Sequence, residues 1–417
     1  MKEGIEHGPL LEHGMITAGL DYYKPTMSQL AYEIEPEAEV TFAFINRGKE
    51  RLLDYLTVEE LQDRFDYIRS VGFQPEELEF LAKLNRLDGS PVFSKDYLDT
   101  LAQSELPEVL VTHEEATDDL SIETTGQWPH VTFWETVIMS EVNETYFENY
   151  VRSKGIDLFE VYEEGNARLT EKIEILKANP GIKFSDFGTR RHFSLRWQKH
   201  VLDRLKTECP DNLLGTSNVA LANTMGLKPI GTFAHEMPMV YAGLADGRGQ
   251  NIRQSHGNFL NDWADKYGDD LSIALTDTFG SKFFFEDFTD EQAQQWAGLR
   301  HDSGDPIEFG ERAIEFYQSK GIDPTTKTIV FSDSLNIDTI VKLYRHFEGR
   351  IGRVFGWGGN LMNDLGIPAL NIVAKAVKVN GRPTVKLSDN PGKVTGPVGV
   401  VRLYQDEFCS RKEAVVL

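Results

Sequence analysis

Cysteine is nearly missing from this chain: Cys209 and Cys409 are the only two in 417 residues. Two thiols cannot hold a disulfide scaffold together, and their scarcity suits a reducing cytoplasm. Neither a CxxC pair nor an HExxH segment occurs, which argues against a built-in zinc site. No apolar run is long enough to span a bilayer. The opening stretch MKEGIEHGPLLEHG is acidic, carries histidines and has no apolar core, so no targeting segment is expected. Positive charge is in deficit as well. A formal net charge of −23 argues against nucleic acid or an anionic membrane as partner, because both need a basic face. An anionic substrate could therefore enter only at a locally basic site. Internal repeats and low-complexity tracts are lacking.

What remains is the composition of an ordinary soluble globular chain, 40 % hydrophobic and 26 % charged with a mean hydropathy of −0.36. Its length leaves room for two or three domains around a large core. Residues 1–125 read as an N-terminal α+β part. VTFAFINR (Val40 to Arg47) has a β-prone run, and VEELQDRFDYIRSVG has helical spacing ended by Gly72. VLVTHEEATDDLSIETTGQW reads as strands joined by polar turns, and two helix-rich stretches follow it. From about residue 182 the pattern changes. Seven short apolar runs end in small or polar residues: IKFSDFGTRR, NLLGTSN, KPIGTFAHE, LSIALTDTFG, GLRHDSGDP, KTIVFSDS and RVFGWGGN. Amphipathic segments follow most of them. Strand-then-helix repeated in this way implies a parallel sheet covered by helices. The expected fold class is therefore α/β: an irregular (β/α) barrel of about seven strands over residues 126–370, plus an α+β domain built from both chain ends. Residues 371–417 supply a hairpin around Asn380-Gly381, a type I′ turn signal, and a tail that packs with the N-terminal part.

In a barrel the strand C-terminal ends share one face, and active sites sit there. His235 and Glu236 stand at one such end, in PIGTFAHEMPM. Alone, His235 reads as an ordinary packed histidine; its company at the other strand ends changes that. Arg190 and Arg191 follow a Gly-Thr turn, where arginines beside free N–H groups suit an anion. GLRHDSGDP puts Arg300, a phosphate fork, beside Asp302 and Asp305, which could take ribose hydroxyls or Mg²⁺. Asp305-Pro306 also has the form of a helix N-cap. Asp333 adds a carboxylate, and Gly356, Gly358 and Gly359 form a backbone-exposing loop. Two readings emerge from these residues: an enzyme of phosphorylated sugars working with Mg²⁺, and a glycosidase using Asp302 and Asp305 as acid and base. The arginines disfavour the second. A third reading, a non-catalytic sugar-phosphate-binding barrel, stays open.

The motifs LDYYKPTMSQLAY, DFGTRRHFS, GTSNVALA, IGTFAHE, ALTDTF, GLRHDSGDP, KTIVFSDSL, FGWGGN and KLSDNPGK, in this order, resemble those of the nicotinate phosphoribosyltransferases of bacteria and yeast. The resemblance implies synthesis of nicotinate mononucleotide and pyrophosphate from nicotinate and phosphoribosyl pyrophosphate (PRPP), in NAD biosynthesis. It also implies coupled ATP hydrolysis through a phosphohistidine, Mg²⁺ bound with PRPP or ATP, classification among the ligases, and a cytoplasmic homodimer with sites at the interface. By the same resemblance His235 is the phosphorylated histidine, and the charge it gains would reorganise a nearby PRPP loop; Glu236 is expected to orient its ring. Tyr23, reaching in from the partner subunit, and Phe187 would sandwich the pyridine ring. Arg190 would hold the nicotinate carboxylate with Ser217 beside it. An aspartate stands at the latter place in the related nicotinamide enzymes, so Ser217 favours acid over amide. Arg300 and Asp302 would be catalytic and bind PRPP, Asp333 the ribose or metal side, and Gly358 and Gly359 the 5′-phosphate. FGWGGN departs from the usual FGIGT by Trp357 and Gly359, and DYYK from DFYK or DSYK. The alternatives are a nicotinamide phosphoribosyltransferase and, less well matched, a quinolinate enzyme.

Overall fold

The computed structural model describes residues 15–408. The acidic opening stretch and Cys409 lie outside them; Cys209 is buried and free. Among the described residues eleven strands form two sheets. β1 (Glu39–Asn46), β2 (Val109–Glu114) and β3 (Asp119–Gln127) come first. β4 (Phe184–Asp186), β5 (Leu213–Thr216), β6 (Ile273–Leu275), β7 (Gly298–His301), β8 (Thr328–Phe331) and β9 (Gly352–Trp357) alternate with helices. β10 (Ile372–Val379) and β11 (Arg382–Pro383) come last.

The first sheet is antiparallel in the order β11-β10-β1-β3-β2, so both ends of the chain meet in it. β10 lies along the whole of β1, from Val40 opposite Val379 to Asn46 opposite Ile372. Asn380 and Gly381, at φ 47° and 73°, make the turn into β11, the left-handed pair that a type I′ turn requires. β11 is short, and Pro383 within it has no N–H to donate. At the opposite edge, Gln62 of the helix Val58–Val71 acts as a substitute strand. Its amide donates to the Val109 carbonyl at 2.8 Å and accepts from Val111 N–H at 2.9 Å. That helix ends where the sequence indicated, with Gly72 at φ 59° as its cap.

The second sheet is parallel throughout, in the order β5-β4-β9-β8-β7-β6. Six of the seven expected runs are its strands. The seventh, KPIGTFAHE, is reduced to a single parallel bridge between Thr216 and Pro229. Pro229 lacks the N–H that would extend the ladder. The next residues turn against the segment at Tyr23, where a Cβ on Gly231 would come within 2.9 Å of the Tyr23 nitrogen. Helices leave the strand ends on polar caps: Asn218 starts Val219–Met225, Asp305 starts Pro306–Ser319 and Asn336 starts Ile337–His346. The long helix Trp134–Lys154 is buried on nearly every side and touches β1, β10 and the turn Thr189–Arg191. It thereby locks the first sheet onto the mouth of the second. No helix among the described residues is long and apolar enough to cross a membrane.

Candidate active site

The strand ends open into a cavity of about 530 Å³, closed on its far side by β1, β10 and the stretch around Lys386. The residues given site roles by the resemblance line it: Tyr23, Phe187, Arg190, Ser217, His235, Arg300, Asp302, Asp333, Gly358 and Gly359. Asp305 does not. It is exposed, and its carboxylate accepts from Ile307 N–H at 2.8 Å and Glu308 N–H at 3.0 Å. The N-cap reading of Asp305 is correct, and the paired-carboxylate glycosidase loses one of its two acids.

The cavity wall reverses the sign of the whole molecule. Arg47, Arg190, Arg191, Arg300, Lys375, Lys386 and Lys393 face Asp21, Glu135, Glu236, Asp302 and Asp333. Among the described residues, no hydrogen bond holds the guanidinium of Arg47 or of Arg191. Burial makes holding a proton costly for both. Burial, with Arg47 and Lys386 nearby, lowers the Lys375 ammonium to about 7. Unmatched positive charge of this kind attracts an anion.

One half of the cavity is built where β4 and β5 end. Asp186 accepts from Gly188 N–H at 2.7 Å, Thr216 Oγ1 at 2.7 Å and Gln198 Nε2 at 2.8 Å. These bonds fix the turn that carries Phe187, Arg190 and Arg191 against the strand that carries Ser217. The Phe187 ring occupies the space where a Cβ on Gly356 would stand, 2.4 Å from its ring carbon, so only glycine fits there. Tyr23 lies on this wall within its own chain. Tyr22 N–H donates to the Ser217 carbonyl at 2.6 Å and Asp21 bridges to Asn218, fixing the segment beside β5. The Tyr23 hydroxyl contacts Arg190, whose guanidinium also lies 3.2 Å from Asp21. Ser217 donates to the same Asp21 carboxylate at 2.5 Å.

The other half surrounds His235. Nδ1 lies 2.9 Å from Thr278 Oγ1; Nε2 lies 2.9 Å from Asp302 and 2.8 Å from the Lys386 ammonium. Burial, aided by Lys386, lowers the imidazole to about 4, so it is neutral near neutral pH, with one ring nitrogen unprotonated. Burial would raise the Asp302 carboxyl, but the His235 hydrogen bond, Arg300 and Lys386 outweigh it and hold the group well down. Glu236 does not orient the ring. Its carboxylate turns inward to Lys24 at 2.5 Å and Trp128 Nε1 at 2.7 Å, away from the imidazole. His235, Asp277 and Asp302 bring one donor atom each within 4.8 Å of one another. The two carboxylates suit a hard divalent cation, and Asp277 Oδ1 is buried without a hydrogen-bond partner. The Lys386 ammonium, 3.2 Å from Asp277 Oδ2, now supplies the positive charge there.

Lys393 joins the two halves, donating to the Asp302 carbonyl and to Asp333 Oδ1, each at 2.7 Å. Arg300 donates to the Phe233 carbonyl at 2.9 Å while its Nε is buried and unpartnered. Gly358 and Gly359 expose their backbone at the start of the short helix Gly359–Met362. Trp357 is fully buried against Phe184 and Lys172, so its departure from the motif is a core substitution outside the cavity. Sequence reasoning missed Asp277, Thr278, Lys386 and Lys393 as site residues. All four sit in motifs already marked, ALTDTF and KLSDNPGK, whose polar residues were given no role.

Comparison with known proteins agrees with this geometry. A model of the nicotinate phosphoribosyltransferase (NAPRTase) family matches residues 182–412, and one of its N-terminal domain matches residues 19–143. A solved nicotinate phosphoribosyltransferase from Porphyromonas gingivalis is 31 % identical, with 94 % of this chain and 98 % of that one covered at a TM-score of 0.84. One from Vibrio cholerae is 30 % identical over 94 % and 93 % of the chains, with a TM-score of 0.82. A putative one from Saccharomyces cerevisiae is 27 % identical over 96 % and 99 %, with a TM-score of 0.81.

Proposed function

The chain belongs to the nicotinate phosphoribosyltransferase family, and from that premise we propose that it makes nicotinate mononucleotide and pyrophosphate from nicotinate and PRPP. One observation carries the reading: a strongly acidic chain gathers seven basic side chains around one cavity, beside an aromatic wall and a glycine loop. An aromatic acid and a polyphosphorylated sugar are the substrates such a wall fits.

In this reading Phe187 and Tyr23 flank the pyridine ring and Arg190 meets its carboxylate. Gly358 and Gly359 offer backbone N–H groups to the 5′-phosphate, with the unpaired guanidinium of Arg191 close by. Arg300, Asp302 and Asp333 bind the rest of PRPP. The pyridine nitrogen attacks the anomeric carbon as the bond to the pyrophosphate oxygen breaks. It carries no proton, so no general base is required. Catalysis is the positioning of two anions and the neutralisation of a third as it leaves. Magnesium fits the oxygen-rich corner and would be held by Asp277 and Asp302; bound there with PRPP or ATP, it would neutralise the leaving group.

His235 is the proposed phosphoryl acceptor. A neutral imidazole nitrogen bonds to the γ-phosphorus of ATP as the bond to the ADP oxygen breaks, and water later cleaves the P–N bond to release inorganic phosphate. Lys386 stands where it can take up the added charge. A cytoplasmic homodimer with its sites near the interface completes the proposal. Mononucleotide formation from PRPP with nicotinate, nicotinamide and quinolinate, each with and without ATP, tests it. Nicotinate is expected to dominate and ATP to stimulate; dominance of another base, or no turnover at all, would overturn the reading. Nicotinamide is the second reading to measure, because the Asp21 carboxylate beside Ser217 is an acceptor suited to an amide.

A further inference from the structure

Lys24 directly follows Tyr23 on the cavity wall, and Glu236 directly follows His235. Both meet at one buried contact. The Lys24 ammonium, wholly shielded from solvent, lies 2.5 Å from Glu236 Oε2, 2.5 Å from Glu135 Oε2 and 3.2 Å from Thr132 Oγ1. Trp128 Nε1 holds the other Glu236 oxygen at 2.7 Å. The same two chain segments touch at three further points. Thr26 Oγ1 donates to the Thr232 carbonyl at 3.3 Å, Ala234 N–H points to the Met27 sulfur at 3.2 Å, and Gly231 fits against the Tyr23 nitrogen. A displacement of either segment therefore bears on the other.

We propose that the Lys24–Glu236 ion pair is the positioning link by which the phosphorylation of His235 alters the base-binding wall at Tyr23 and Arg190. This rests on the phosphohistidine reading given above. A phosphoryl group adds nearly two negative charges to the residue that precedes Glu236, at the start of the helix Glu236–Gly247. An exposed ion pair would absorb a shift there by taking on water. In a cluster shielded from solvent a shift of Glu236 is not screened, so it changes the balance of the two carboxylates, Glu236 and Glu135, that hold the Lys24 ammonium. The Lys24 ammonium lies 5.5 Å from the Tyr23 ring centroid, and the Tyr23 hydroxyl contacts Arg190. Every step from His235 to Arg190 is thus a peptide bond or a direct contact. Lys24 and Glu236 act through Tyr23 and His235, and neither touches the reacting atoms.

The test compares two readings on the full-length chain. One is radiolabel transferred to His235 from γ-labelled ATP. The other is kcat/KM for nicotinate at saturating PRPP with and without ATP, whose ratio is the coupling factor; coupling between sites commonly amounts to about 5- to 150-fold. Glu236→Gln keeps an acceptor for Trp128 and leaves Lys24 paired with Glu135. It is expected to keep the label within about twofold of wild type while the coupling factor falls to about one, the change lying in KM for nicotinate. Lys24→Gln should behave alike, and supplies the same comparison if Glu236→Gln does not fold. Lys24→Arg, which keeps the charge, should restore part of the coupling. Full label with a wild-type coupling factor overturns the proposal, and so does loss of label in Glu236→Gln, which would put Glu236 in the phosphorylation step itself. An unlabelled wild type would instead overturn the phosphohistidine reading on which the proposal stands, so the two failures are told apart.

Discussion

The hydroxyl of Ser217 donates to the Asp21 carboxylate across 2.5 Å, so the neutral side chain expected to welcome a substrate carboxylate already holds one. Arg190 compensates it from 3.2 Å. Selectivity for acid over amide then depends on how much of the Arg190 charge is left for the substrate. Ser217→Asp would set two carboxylates against each other and against the base, and like charges this close cannot both ionise freely. The nicotinate-to-nicotinamide ratio of kcat/KM should fall about tenfold or more, equivalent to at least ~1.4 kcal/mol of discrimination. Steady-state kinetics at saturating PRPP and fixed ATP measures it. An unchanged ratio would remove Ser217 from the base site and leave Arg190 as the sole reader.

His235→Ala should carry no acid-labile, base-stable label from γ-labelled ATP and should lose ATP stimulation, while keeping some PRPP-dependent turnover. Label equal to wild type would refute the assignment.

The acidity of His235 gives a pH prediction with a definite sign. Burial and Lys386 lower it from the ordinary histidine value to about 4. The imidazole is then free to react throughout the range where an ordinary histidine titrates, and labelling should decline only as pH falls toward about 4. Lys386→Met removes one of the two lowering causes and leaves Asp277 and Asp302, which raise it. The acid limb of the labelling profile should move to higher pH in that variant. A limb that stays in place, or moves lower, would contradict the geometry around Nε2.

Arg300→Ala and Asp302→Ala should both damage the use of PRPP, by about 30- to 1,000-fold in rate, as befits charged hydrogen bonds worth about 2–4 kcal/mol in a desolvated site. They should also differ. Asp302 touches His235 and Arg300 does not, so only Asp302→Ala should slow labelling from ATP as well. Kinetics equal to wild type in either variant would contradict the assignment.

Asp305→Ala tests the discarded glycosidase arrangement. Loss of an N-cap costs about 1 kcal/mol of stability. A lowered Tm with turnover within about twofold of wild type is the expected result. Loss of activity at full stability would return Asp305 to the site.

The strand ends were legible because parallel strands buried on both faces write themselves as short apolar runs, and because a barrel places their last residues together. That logic places Arg190, His235, Arg300, Asp302 and Asp333 on one cavity, and all five line it. It failed at Pro229, where the apolar run satisfied the pattern but a missing N–H and a close neighbouring backbone left one bridge in place of a strand. It failed again at Glu236, whose partner Lys24 stands 212 positions away, beyond the reach of any local spacing. Lys386 and Lys393 were hidden differently. They follow a hairpin assigned to packing, and only the pairing of β10 with β1 carries that segment over the barrel mouth.

That same pairing sets an order of events. Glu39 N–H bonds Asn380 Oδ1, partners 341 positions apart, and β10 lies between β1 and β11 in the finished sheet. One long edge of β1 therefore stays open from the moment it is synthesised until the segment reaching Asn380, 341 positions later, has been made. Loop closure over such a separation is slow, and an unpaired edge is open to the wrong neighbour while it waits. Lys386 and Lys393, which help close the cavity, arrive just behind β10. The last stretch to join the sheet is also the one that completes the site, so a chain stalled short of it has neither.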